Sequence, residues 1–149
     1  MQNQRYERFK IRKYLHWTLY LHENQHYLGR CYAWLNRDCR EDERPHRLSE
    51  LSEEERYELF HFILSPYEKA LDQLFGPDHI NYAWFGNEID QHNGHGHMHL
   101  IPRYEEPITF AGHEFCDEQW GENYAPYPKN KLPKKLVSLI LEELLRKLN

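Results

Sequence analysis

The chain has 149 residues and a formal net charge of −5, with 24 acidic against 19 basic side chains, so its surface as a whole does not attract polyanions and nucleic-acid binding is disfavoured. Its three cysteines, Cys31, Cys39 and Cys116, are an odd number without paired-ligand spacing, which argues against a disulfide framework or a zinc ribbon and for reduced thiols in a reducing compartment. The first eight residues (MQNQRYER) lack the apolar centre of a signal peptide and no apolar run approaches a membrane span, so a soluble, cytoplasmic, single domain without a membrane partner is expected.

Residues 1 to 12 are polar and basic and read as a frayed arm or short helix. Trp17 to Leu21 and Gly29 to Leu35 read as two strands of a hairpin, and the charged run Asn36 to Arg47 as a solvated loop. Ser52 and Glu55 have the spacing of a capping box, and Phe60, Ile63, Tyr67, Leu71 and Leu74 follow at helical spacing, so a long amphipathic helix runs to about Phe75, kinked or split by Pro66. After the break at Gly76, Pro77 and Asp78, a third strand covers Ile80 to Phe85, and a polar loop, Gly86 to Gly94, delivers a further strand. Ile108 to Phe110 and Phe115 add strand pairing, Trp120 to Lys129 is irregular, and Pro133 opens a closing helix striped by Leu136, Ile140, Leu144 and Leu148.

The segment from Gly94 to Tyr104 (GHGHMHLIPRY) carries the chemistry. Successive strand side chains point to opposite faces, so His95, His97 and His99 share one face, about 6 to 7 Å apart along the strand. Gly96, Met98 and Leu100 turn to a core, and Pro102 stops the ladder by withholding an N–H. A neutral imidazole is a nucleophile near pH 7 and its cation donates from both nitrogens. Such a set can therefore attack phosphorus, absorb charge on non-bridging oxygens and protonate a leaving group. The middle ring, His97, has a neighbour on either side and is the natural attacker.

The triad strand, the hairpin and the helix entry at Leu48 to Leu51 resemble the histidine-triad (HIT) family of nucleotide hydrolases and transferases, over roughly residues 15 to 104. The resemblance implies one HIT-like α+β domain over 1–149: a roughly five-stranded antiparallel sheet, one long helix, and a C-terminal extension over 105–149 that includes the closing helix. It also implies a homodimer acting on a nucleotide-like small molecule, with no required cofactor and Mg2+ entering only on substrate phosphates. His97 would be the nucleophile forming a nucleotidyl-histidine at the α-phosphorus of a dinucleoside polyphosphate or nucleoside phosphoramidate, and a nucleoside monophosphate would be released. His99 would bond the reacting phosphate or leaving oxygen, and His95 would orient the set.

By the same resemblance Asn87 is a candidate phosphate ligand, Gln91 stands as a substrate-binding candidate where the family often has a glutamine, and His92 stands where a hydroxyl residue commonly donates near the leaving group. His22, with Asn24 two residues on, stands where the family holds the ribose hydroxyls with an acid or amide, and Arg30 stands where a histidine often lies behind the nucleophile. Trp17 and Leu19 are candidates for a base pocket or, with more weight, for the core. Two other classes remain open: a zinc-dependent hydrolase in which two triad histidines and His92, Asp90 or His113 hold the metal, and a nucleotide-binding module without turnover.

Overall fold

The computed structural model describes residues 4–38, 40–129 and 132–149; Cys39 lies outside them. A short helix α1 (Gln4–Glu7) leads into β1 (Lys10–Lys13), β2 (Trp17–Leu21) and β3 (Cys31–Leu35). Helix α2 (Glu53–Glu58), a π-helical segment (Leu59–Leu64) and α3 (Ser65–Leu74) follow without interruption. Then come β4 (His79–Trp84), a 3-10 segment (Gly86–His92), β5 (His97–Arg103), the hairpin β6 (Ile108–Phe110) and β7 (His113–Phe115), and α4 (Lys134–Leu148). The five longer-paired strands form one antiparallel sheet in the order β1-β2-β3-β5-β4, while β6 and β7 pair only with each other.

Ser52 caps α2 as its sequence predicts: its hydroxyl accepts from the Glu55 N–H, and the Glu55 carboxylate accepts from the Ser52 N–H. The π register accommodates Pro66, whose ring and missing N–H would break a continuous α ladder. It also changes which side chains face the sheet. Wider turns keep residues four apart on one face, so Leu59, Ile63 and Tyr67 are buried, whereas Phe60, read from sequence as part of the core stripe, is 58% exposed. The α4 stripe of Leu136, Ile140, Leu144 and Leu148 is buried as its spacing predicts. Together with Trp17, Leu19, Leu21, Ala33, Met98 and Leu100 from the sheet these residues make one core, which places Trp17 and Leu19 in it, fully buried.

Two further differences have local causes. Strand β1 comes from the polar arm, where only Ile11 is buried, too weak a signal for alternation to reveal. Pro102 lies inside β5, opposite Ile80, and does not stop it. Pairing to β3 reaches only Leu100, so beyond that point β5 needs a partner on one side alone and tolerates the missing donor. Among the described residues no helix is long and apolar enough to cross a membrane, and Cys31 and Cys116 are free thiols.

Candidate functional site

The site is built where β3 and β5 run side by side, with Trp34 opposite His97 and Tyr32 opposite His99. Alternation puts residues 30, 32 and 34 on the triad's face. Met98 and Leu100 point to the core and are buried, while His97 and His99 are half-buried. Gly96, between His95 and His97, faces Trp84 so closely that a Cβ there would come 2.2 Å from the indole. Just before β5, Gly96 is thus packed directly against the Trp84 side chain of the neighbouring strand β4.

The three rings have unequal surroundings. His95 Nδ1 lies 2.9 Å from the Leu35 carbonyl, which only accepts, so the proton sits on Nδ1; Nε2 is 3.9 Å from Asp38. The Leu35 N–H in turn donates to the Gly96 carbonyl at 2.9 Å, so residues 95 and 96 are fastened to the end of β3. His97 stacks on Trp34 with centroids 5.1 Å apart and planes 7° from parallel. Its other ring neighbours are His92 at 4.5 Å, His99 at 5.4 Å and Tyr32 at 5.9 Å. The Nδ1 atoms of His97 and His99 are buried, the His97 ring lies against the His95 backbone, and both rings line the clefts.

Burial, with charge on His92 second, pulls His97 down to about 4. Burial, followed by the neighbouring His97 and Arg30 charges, pulls His99 down to about 3. Burial and Arg30 also pull His22 down to about 3. All three rings are therefore neutral at pH 7. His22 Nδ1 accepts the Asn24 N–H at 3.0 Å, so the neutral ring carries its proton on Nε2 and presents a donor. The single acceptor expected of this imidazole is already in use.

Two clefts meet at His22, His99 and Glu88. One, of about 260 Å³, is walled by Phe9, Leu21, Tyr32, Trp34 and His97. The other, of about 810 Å³, reaches Arg30, β4 and the irregular segment that carries Tyr124 and Tyr127. That segment is held down by Arg103, which forms a bidentate pair with Asp117 at 2.6 and 3.1 Å and donates to the Gln119 and Glu122 carbonyls. Tyr27 adds a hydrogen bond to the Tyr124 carbonyl.

Of the residues singled out from sequence, His95, His97, His99, His92, His22 and Arg30 come together around this strand. Asn24 is engaged in holding its own loop: its side chain accepts from the His26 N–H and donates to the Pro128 carbonyl. Asn87 is exposed and lines neither cleft, and Gln91 is exposed beside His92 and His95 in a different groove. Asp90 is bonded to Arg44 and His46, and the His113 ring packs on Phe115 in the separate hairpin. Among the described residues no three His, Cys, Asp or Glu side chains are gathered as a metal-holding set. Sequence reasoning passed over Tyr32, Trp34, Glu88, Tyr124 and Tyr127; strand alternation from Arg30 would have found the first two.

No protein-family model matches the sequence, and no curated protein does. Solved structures do match. The chain is similar to a hypothetical histidine triad nucleotide-binding protein from Sulfolobus tokodaii, with a TM-score of 0.65 and 14% identity over 94% of this chain and 83% of that one. It is similar to a Hit-like protein involved in cell-cycle regulation from Bartonella henselae, with a TM-score of 0.60 and 14% identity over 93% and 85% of the two chains. A HIT family protein from Bacillus anthracis aligns with a TM-score of 0.50 and 23% identity over 65% of this chain and 64% of that one. The chain has the histidine-triad fold.

Proposed function

We propose that this protein is a histidine-triad hydrolase that cleaves a nucleotide-like substrate at its α-phosphorus through a nucleotidyl-His97 intermediate. The observation that carries the proposal is the environment of His97: a neutral ring stacked on Trp34, flanked by His92 and His99, and lining the aromatic cleft. A neutral imidazole in that position has a free lone pair for phosphorus. As the N–P bond forms, the bond from phosphorus to the leaving group breaks, and the leaving atom, beside His99 where the two clefts meet, takes a proton from the His92 imidazole. His99 donates to a non-bridging oxygen, and His95, fixed by Leu35, holds the strand end in place. Water then attacks phosphorus and gives a proton back to His92, the N–P bond breaks, and a nucleoside monophosphate leaves with His97 restored.

The substrate classes are dinucleoside polyphosphates and nucleoside phosphoramidates, with the base in the aromatic cleft beside Tyr32 and Trp34. The protein acts as a cytoplasmic homodimer, for which the exposed Tyr57 and Phe62 on the long helix, whose rings meet edge to face at 5.9 Å, supply an apolar patch; sedimentation of a Phe62→Glu variant as a monomer checks this. The decisive assay incubates purified protein with a nucleotide panel, quenches under alkaline conditions and measures the intact protein mass. An acid-labile nucleotidyl adduct that disappears in His97→Gln is expected. Activity lost in chelator and restored by zinc would move the assignment to a metallohydrolase, and ligand binding without turnover would make the protein a binding module.

A further inference from the structure

Two arginines are fully buried on the site's side of the molecule, and they are treated differently. Arg103 has its guanidinium edges filled by the Asp117 carboxylate and two backbone carbonyls. Arg30 is 1% exposed, yet its Nε and Nη1 atoms are buried with no hydrogen-bond partner. What it has is aromatic: Tyr127 at 4.7 Å and Tyr124 at 5.2 Å from the guanidinium carbon. Rings over the face of a guanidinium stabilise its charge but do not accept its in-plane N–H groups. A buried cation with an open donor edge is costly unless an acceptor completes it.

The structure points to the missing acceptor. Arg30 lines the larger cleft, and beside it on that cleft is His22, whose Nδ1 is occupied by the Asn24 N–H and whose neutral ring therefore turns a second donor, Nε2–H, outward. The loop between the two is tied together by a buried amide. Buried Gln25 donates to the carbonyls of both His22 and Arg30 and accepts from the Gly29 N–H. The other charged or titratable side chains on this cleft are His99, Tyr82, the two tyrosines and a single carboxylate, Glu88, which is not bonded to Arg30. The two buried acids are engaged elsewhere, Asp117 by Arg103 and Glu55 by Arg37. Two donors on one cleft, neither bonded to a protein acceptor, suit an oxyanion better than a pair of sugar hydroxyls. The cleft lies on the His99 side of the triad, opposite in role to the aromatic cleft that would take a base.

We infer that Arg30 and His22 form an oxyanion subsite for a phosphate carried by the leaving group, so that this chain selects substrates with phosphorylated leaving groups over those that release a neutral amine. The assignment of that phosphate to the leaving group rests on the hydrolase proposed above; the subsite itself does not. Two arms of one experiment separate them. In the first, inorganic pyrophosphate is titrated into the wild-type protein while the Arg30 Nε–Hε resonance, assigned with Arg30→Lys, is followed by NMR. A saturable shift is expected, with affinity for pyrophosphate falling about 10- to 100-fold in Arg30→Met. An Arg30 resonance unmoved at millimolar pyrophosphate, as when ordered water completes the guanidinium, overturns the subsite, and so does equal affinity in a folded Arg30→Met protein.

In the second arm, kcat/KM is measured for a dinucleoside tetraphosphate and for a phosphoramidate of the same nucleoside. The ratio of the two is expected to fall about 10- to 100-fold in Arg30→Met and less in Arg30→Lys, which keeps the charge and loses the fork. An unchanged ratio overturns the leaving-group assignment. If wild-type protein turns over neither substrate, the hydrolase proposal fails, while the pyrophosphate titration still decides the subsite.

Discussion

Replacing Gly96 by alanine tests how tightly the triad strand is seated. An added Cβ would lie 2.2 Å from Cη2 and 2.4 Å from Cζ2 of Trp84, well inside van der Waals contact, so one of the two must move. Trp84 is not free to do so: its indole N–H donates to the His46 carbonyl at 3.1 Å, and its ring meets Trp17 edge to face at 6.1 Å. Overpacking a filled site costs about 1–3 kcal/mol, and a lost hydrogen bond adds about 1 kcal/mol. The sum, about 2–4 kcal/mol, corresponds to a Tm lowered by roughly 5–15 °C in a chain of this size. If β5 yields instead, the bonds joining His95 and Gly96 to Leu35 shift, and turnover falls with stability. Thermal unfolding followed by circular dichroism reads the first effect, and adding Trp84→Leu should recover most of the loss through a favourable coupling. A Tm within about 2 °C of wild type, or no recovery in the double variant, would refute the packing described.

The free-enzyme pH profile carries a second prediction. His97 is held down to about 4 by burial and by His92, so the neutral nucleophile persists below the ordinary imidazole range and is lost only as pH falls through about 4; kcat/KM should keep its acid limb there, and a limb at an unperturbed imidazole value would contradict it. Asp117→Ala leaves Arg103 buried without its carboxylate and should cost about 3–5 kcal/mol in urea unfolding, with the Tyr124–Tyr127 segment cleaved faster by protease. Glu58→Ala removes the acceptor of the Leu15, His16 and Trp17 N–H groups and should cost about 2–3 kcal/mol by the same measurement.

The elements that alternate or repeat strongly were legible in the sequence. The Ser52–Glu55 cap, the hairpin, the α4 stripe and the inward–outward order from Gly96 to Leu100 all follow from local chemistry and period. Elements whose form depends on distant partners were not. Strand β1 exists because β2 offers an edge to a polar segment, and Phe60 is exposed because the π segment rephases the helix. In the site, the shared face of the triad was readable from spacing, while His92 and the departure at His22 and Arg30 were reached only through the family resemblance. The sense of His22 was not, since it depends on the Asn24 N–H taking Nδ1. The two tyrosines over Arg30 were also beyond reach, because they arrive from residues 124 and 127 through a fastening made by Arg103.

The covalent route through His97 is tested most directly by the stereochemical course at phosphorus. A substrate with a chiral thiophosphate at the reacting centre is hydrolysed in isotopically labelled water, and the configuration of the released nucleoside monophosphate analogue is determined. Two in-line displacements, first by His97 and then by water, each invert the centre, so net retention is expected. Net inversion would mean that water attacks phosphorus directly, and would contradict a nucleotidyl-histidine intermediate even if His97 were indispensable.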